Sequence, residues 1–185
     1  YSRLRDVVLV NLVRNTDPLK IAVNTFISKC CTVPLLIQPL DESVPQHVNM
    51  AETMTTGLME NSGFRKGFYV EFRKFIWDYL TTDNGAFALV LAPGSIATPI
   101  VGRVAGILHL STTRCTRTSN PEFPVVYYHT DNQKYRIHYT RVIAMANLPS
   151  GEPELKGVGF CPVSLCLDAA RELNDITTYM QEKLG

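Results

Sequence analysis

Residues 86–110, AFALVLAPGSIATPIVGRVAGILHL, form a long run with a single formal charge, Arg103. The run is long enough to span a bilayer as one helix, or it can be buried as strands. Pro93-Gly94 and Pro99 would interrupt the hydrogen-bond ladder of a membrane helix, and Arg103 would sit well inside its apolar span. The run therefore reads as two buried strands, Ala86–Ala92 and Ile100–Leu110, joined by a Pro-Gly turn, in a protein that does not cross a membrane.

The segment before it has a different period. From Gly67 to Thr82, Phe68, Phe72, Phe75, Ile76 and Tyr79 recur on one helical face, with Val70 and Leu80 at its margins. Arg73, Lys74 and Asp78 fall mostly on the other side. Trp77 either covers a neighbour or lies in a contact between chains. The stretch TTDNGAFALVL then changes abruptly from helix to strand. Gly85 suits the left-handed position just past a helix, and Asn84 is the next best residue for such a conformation. Asn-Gly also makes hairpin turns, but the helical period upstream favours a helix end.

Upstream, Asp17-Pro18 opens a helix, with Asp to cap bare N–H groups and Pro in the first turn. Thr32–Leu40, TVPLLIQPL, is an edge strand or an extended connector because it holds two prolines. A second helix begins at Asp41-Glu42-Ser43, with Val48, Ala51, Met54 and Leu58 as its stripe and Ser62-Gly63 as its stop. Its methionines serve either as core filling or as a partner groove.

Downstream, PVVYYHT and KYRIHYTRVIAMANLPS read as strands, with Asp131-Asn132 as the hairpin between them. Lys134, Arg136 and His138 alternate with Tyr135, Ile137 and Tyr139. After GVGF, Pro162 begins a last helix of about 23 residues, roughly 35 Å at 1.5 Å per residue. Helices, then antiparallel strands, then a helix make an α+β fold: several helices on a mostly antiparallel sheet. We expect one domain over 1–185, with a helical lead-in (1–66), a helix plus strands (67–160) and the long helix (161–185).

Composition bears chiefly on partners. Eighteen Lys and Arg against 17 Asp and Glu leave a formal charge of +1, without the basic excess of a free-standing nucleic-acid binder. At 45% apolar and 19% charged residues, the chain can build a core. Arg3, Arg5 and Asp6 interrupt any leader-like start. The cysteines, Cys30, Cys31, Cys115, Cys161 and Cys166, include no C-x2-C pair and read as buried free thiols of a reducing compartment.

No catalytic motif is legible, and no cofactor or metal is expected. Gly157-Val158-Gly159 before a helix is either a flexible loop or a phosphate loop, and it lacks the third glycine and the Gly-Lys-Ser/Thr of the known fingerprints. His47, His109, His129 and His138 are scattered. Lys134, Arg136 and Arg141 cluster in sequence and are the candidate DNA-facing side chains, together with His138, or else a solvated face. The turns that define the fold are placed at Asn84, Gly85, Gly157, Gly159 and Pro162.

The order of these pieces resembles the portal proteins of tailed bacteriophages. The match runs from a helix with Trp77-x-x-Leu80 and an Asn84-Gly85 turn into an Ala-rich strand. VAGILHLSTTRCTRT follows, then a strand with Val142-Ile143, and then GVGFCPVSLCLDAAREL. It covers about residues 68–185, and its motifs are packing and turn residues. Many members start the last helix with Ser-Pro-Leu; here Cys161-Pro162-Val163 stands there, so either Ser164 caps a later start or packing holds the first turn.

The resemblance implies a non-enzymatic structural subunit of a ring, usually of twelve copies, at one capsid vertex. Double-stranded DNA would pass through the channel during packaging and ejection. Terminase, capsid and head–tail connector proteins would dock on the ring. The chain would be the wing-side part, with stem, clip and crown beyond residue 185. It would reside in the virion, and in the host cytoplasm during assembly. The competing reading is a small-molecule enzyme with its site around Gly157–Gly159.

Overall fold

The computed structural model describes residues 3–131 and 133–184; Asn132 of the expected hairpin lies outside them. Its order is α1 (Arg3–Asn15), α2 (Asp17–Cys30), α3 (Pro45–Arg65), α4 (Phe68–Thr81), β1 (Ala86–Leu91), β2 (Gly106–Leu110), β3 (Cys115–Arg117), β4 (Val125–Tyr128), β5 (Lys134–Ile137), β6 (Val142–Met145), α5 (Pro162–Leu165) and α6 (Leu167–Leu184). The class is α+β, as the sequence implies. Two antiparallel three-stranded sheets, ordered β2-β1-β6 and β3-β4-β5, replace the single sheet expected. Among the described residues, no helix is long and apolar enough to cross a membrane.

The uncharged run splits as its prolines dictate. Its two strands pair with Phe87 opposite Leu110 and Leu91 opposite Gly106. The second strand is shorter than expected, because residues 92–105 form a loop rather than a tight turn.

Two main clusters make the core. Leu9, Val13, Val23, Ile27, Ile76, Leu80, Cys161 and Val163 join α1, α2, α4 and α5. Phe87, Leu110, Cys115, Val125 and Ile137 join the two sheets. Trp77 packs at the edge of the helical cluster. Leu80 is buried rather than marginal.

Several elements depart from the sequence reading. Helix α1 precedes Asp17: Asp6, Leu9 and Val13 repeat at helical spacing and are all buried, although the valine-rich run masks that period. Helix α3 starts at Pro45 and breaks at Ser62–Phe64, whose backbone is not helical, close to the expected stop. Of its stripe only Ala51 is fully buried, with Val48, Met54 and Leu58 half-buried. Thr32–Leu40 is a connector with no strand.

The long last helix is interrupted. Cys166 leaves helical geometry (φ −99°, ψ 12°), separating α5 from α6. Pro162 sits in the first turn as expected, and Cys161 is itself the cap, its Sγ accepting the Ser164 N–H at 3.2 Å.

Candidate functional site

The most connected place in the molecule is the turn between α4 and β1. Thr81, Thr82, Asp83 and Asn84 are polar and buried, along with Asp6 and Thr112. Burying such groups is tolerable only when their hydrogen bonds are made. Thr81 Oγ1 donates to Trp77 O at 2.8 Å. Thr82 Oγ1 lies 2.7 and 2.8 Å from Asp78 O and Gly85 O, between which its single proton is shared, and Thr112 Oγ1 donates to Gly85 O at 2.6 Å.

Asp83 and Asn84 draw distant elements together. The Asp83 N–H donates to Asp6 Oδ1 on α1 at 2.8 Å. Its carboxylate accepts Arg5 Nε and the Cys161 N–H, the latter at 2.9 Å, while its carbonyl accepts the Gly159 N–H at 3.0 Å. Asn84 Nδ2 donates to Cys115 O at 3.1 Å, and Arg117 Nη2 donates to Asn84 O at 2.9 Å. The guanidinium of Arg117 also lies 4.9 Å from the centre of the Phe87 ring. The turn thus ties α1, β3 and the start of α5 to the α4–β1 junction.

Gly85 has φ +82°, but the helix ends at Thr82 and Gly85 closes a Thr82–Gly85 turn, its N–H bonding Thr82 O at 3.1 Å. It is therefore not the residue immediately after the helix. A Cβ there would stand 2.1 Å from Met145 O, so only glycine lets β1 begin against β6. Gly159 also permits a close approach: a Cβ would stand 2.1 Å from Asn147 O, where the chain before α5 presses on the irregular segment after β6. Gly157 has φ +77°.

The proposed phosphate loop is thus a packing junction. A cleft of about 370 Å³ beside it is lined by Arg3, Arg117, Tyr128, Glu154 and Lys156, with no cysteine or histidine. Burial pushes the Cys161 thiol up to about 12, and the Cys115 thiol above its ordinary value. Such thiols are poor nucleophiles at neutral pH. Cys115 and Cys161 are buried as expected; Cys30 and Cys31 are half-buried and Cys166 is exposed.

The basic cluster does not hold together. Lys134 and Arg136 are exposed on β5, flanking half-buried Tyr135. Arg141 is 1% exposed. Strand β5 ends at Ile137, and the 3₁₀ turn Tyr139–Arg141 turns Arg141 inward. There its guanidinium donates to Thr98 O (2.6 Å), Ala92 O (3.0 Å) and Pro93 O (2.6 Å), pinning the 92–105 loop. A buried side chain cannot face DNA, so Arg141 is withdrawn from the candidates. His138 is also buried, with Nδ1 2.9 Å from Thr140 Oγ1.

Glu71 escaped the sequence reading. It is buried on the apolar face of α4, and its carboxylate satisfies the outer edge of β2: the His109 N–H donates to Oε2 at 2.7 Å. Ser62 Oγ does the same for Ile107 N–H at 3.0 Å. Lys74 Nζ pairs with Glu71 Oε1 at 2.5 Å. Burial opposes the charge, but Lys74 and the His109 N–H outweigh it, and the carboxyl lies below its ordinary range. The available signal was a carboxylate three residues after Phe68 and four before Phe75, on the face those rings define.

Helix α6 is the opposite case. Leu173, Ile176, Tyr179 and Met180 are 46, 59, 61 and 51% exposed, and among the described side chains of the helix only Ala170 is buried.

The architecture is α+β. No protein-family model and no curated protein matches the sequence. Among solved structures, the chain is similar to a chain in the neck of an empty GTA particle computed with C6 symmetry. The TM-score is 0.71 over 95% of this chain, at 16% identity, and the match spans 46% of that chain. At that identity the likeness is one of fold, and this chain covers less than half of its neighbour.

Proposed function

We propose that the chain is the wing-side part of a portal subunit, a structural component of the head–tail junction of a phage-like particle. The observation that carries the reading is the similarity of 95% of the chain to a component of a particle neck. The order of turn and strand motifs supports it independently, as does a body whose buried polar groups fix backbone. A head-to-tail ring needs a rigid subunit with two complementary faces, and α6 offers a large uncovered one.

On this reading the subunits assemble as a ring, of twelve copies as the resemblance implies, around a channel for double-stranded DNA, and terminase and connector proteins dock on it. The near-neutral charge suits a channel that must let DNA slide, because affinity grows with each phosphate contact. Lys134 and Arg136 are the surface cations proposed to meet DNA. The test is electron microscopy of the full-length protein. Annular particles with a central hole and rotational symmetry are expected; globular monomers at high concentration would overturn the reading.

A further inference from the structure

A cleft of about 500 Å³ lies between α1, α2, α4 and the segment after β2. We propose that it binds a small organic anion carrying a phosphate group. This inference does not depend on the ring reading.

The volume falls within the roughly 300–1,000 Å³ of ordinary ligand sites. Its charges converge from separate elements: Arg14 from the end of α1, and Arg73 and Lys74 from α4. Three cations in one concavity repel one another unless something anionic offsets them. Lys74 is matched by Glu71 at 2.5 Å. The lining carboxylate, Asp78, is already engaged by His109 Nε2 at 2.8 Å and the Thr112 N–H at 3.1 Å. Arg73 donates only to the neutral Ser28 Oγ, at 3.2 Å, and Arg14 makes no hydrogen bond or ion pair among the described residues.

Set against Asp78 and Glu71, the three cations leave the cleft a formal net charge of +1, and neither solvent-exposed guanidinium has a carboxylate partner of its own among the described residues. A guanidinium matches the paired oxygens of a phosphate better than it matches a point acceptor. The floor between them is apolar, formed by Trp77 with Val10 and Ile27. An indole beside two cations suits a ligand with a planar ring attached to its phosphate. Ser111 and Thr113 add hydroxyls on the far rim.

Trp77 is the only tryptophan, so its fluorescence reports on the cleft directly. The full chain is titrated with pyrophosphate and with adenosine monophosphate at constant ionic strength, and binding is measured in parallel by calorimetry. Saturable binding is expected, weakened about tenfold in R14Q and in R73Q, each of which removes a charge-assisted hydrogen bond. Both arginines are exposed, so the variants should keep the parent's circular dichroism. W77F should weaken the nucleotide more than pyrophosphate. Three results would overturn the proposal: responses reproduced by sodium chloride at matched ionic strength, unchanged affinity in both arginine variants, or binding of a short DNA duplex without either small ligand.

Discussion

The turn at Thr81–Gly85 and helix α6 manage opposite kinds of surface. The turn takes strongly polar groups out of water and gives them protein partners from α1, β3 and α5. Helix α6, past Ala170, leaves Leu173, Ile176, Tyr179 and Met180 about half in water. A molecule that spends hydrogen bonds so thoroughly in one place and leaves a helix stripe bare in another has a finished body and an unfinished face. The first resists deformation, whereas the second gains free energy when another surface arrives, at about 25 cal/mol per Å² of apolar area covered.

Substitutions in the turn should produce the largest effects. Asp83→Ala should cost about 3 kcal/mol in chemical denaturation, because it leaves the Cys161 N–H unpaired in the interior and releases the half-exposed Arg5. Gly85→Ala should cost about 3 kcal/mol by the same measurement, since its Cβ collides with a backbone carbonyl in a conformation alanine disfavours. A loss below about 1 kcal/mol in either would mean that the turn relaxes, contrary to the picture of a fixed junction.

Glu71 makes a smaller, pH-dependent contribution. Its folded carboxyl lies below the ordinary range, so the stability it supplies is fully present above its unfolded pKa and is lost as pH falls through the folded value. Glu71→Gln should flatten the acid side of the stability–pH curve, as read by thermal melts from neutral pH downward. An unchanged acid limb would remove the carboxylate from its role at the β2 edge.

How much of this was legible in the sequence depends on whether a residue's role follows from its neighbours along the chain. Pro93, Pro99 and Arg103 announced that residues 86–110 are not a membrane helix, and the period of Phe68, Phe72 and Phe75 announced α4, because both signals are local. Asn84 and Gly85 were legible as a turn but not as a hub, because their partners lie on α1, β3 and α5. Arg141 was misplaced for the same reason. The alternation that holds through Ile137 ends at a 3₁₀ turn that the sequence does not signal. Glu71 was readable, as a carboxylate on an apolar face, but only by treating the exception as the informative residue.

The mildest substitutions sharpen the contrast. Thr16 is a buried threonine whose Oγ1 has no partner among the described residues, unlike Thr81 and Thr82. Thr16→Val should be neutral or stabilising by about 0.5–1 kcal/mol, whereas Thr81→Val should destabilise by about 1 kcal/mol or more. On α6, Ile176→Asp should move the stability of the unassembled chain by less than about 0.5 kcal/mol, since the side chain is already in water. In the full-length protein the same change should reduce the assembled fraction, measured by sedimentation.

Hydrogen–deuterium exchange on the free chain and on assembled full-length protein tests the contrast most directly. An uncovered helix of this length is marginal in water, whereas in the turn the N–H groups of Thr82, Asp83 and Gly85 donate to Asp78 O, Asp6 Oδ1 and Thr82 O. The amides of Thr82, Asp83 and Gly85 should be slow in both samples, and those of Leu173–Met180 fast in the free chain and slow only after assembly. Equal protection of α6 in both samples, or a turn that exchanges as fast as α6, would contradict the account of a closed body with one face awaiting a neighbour.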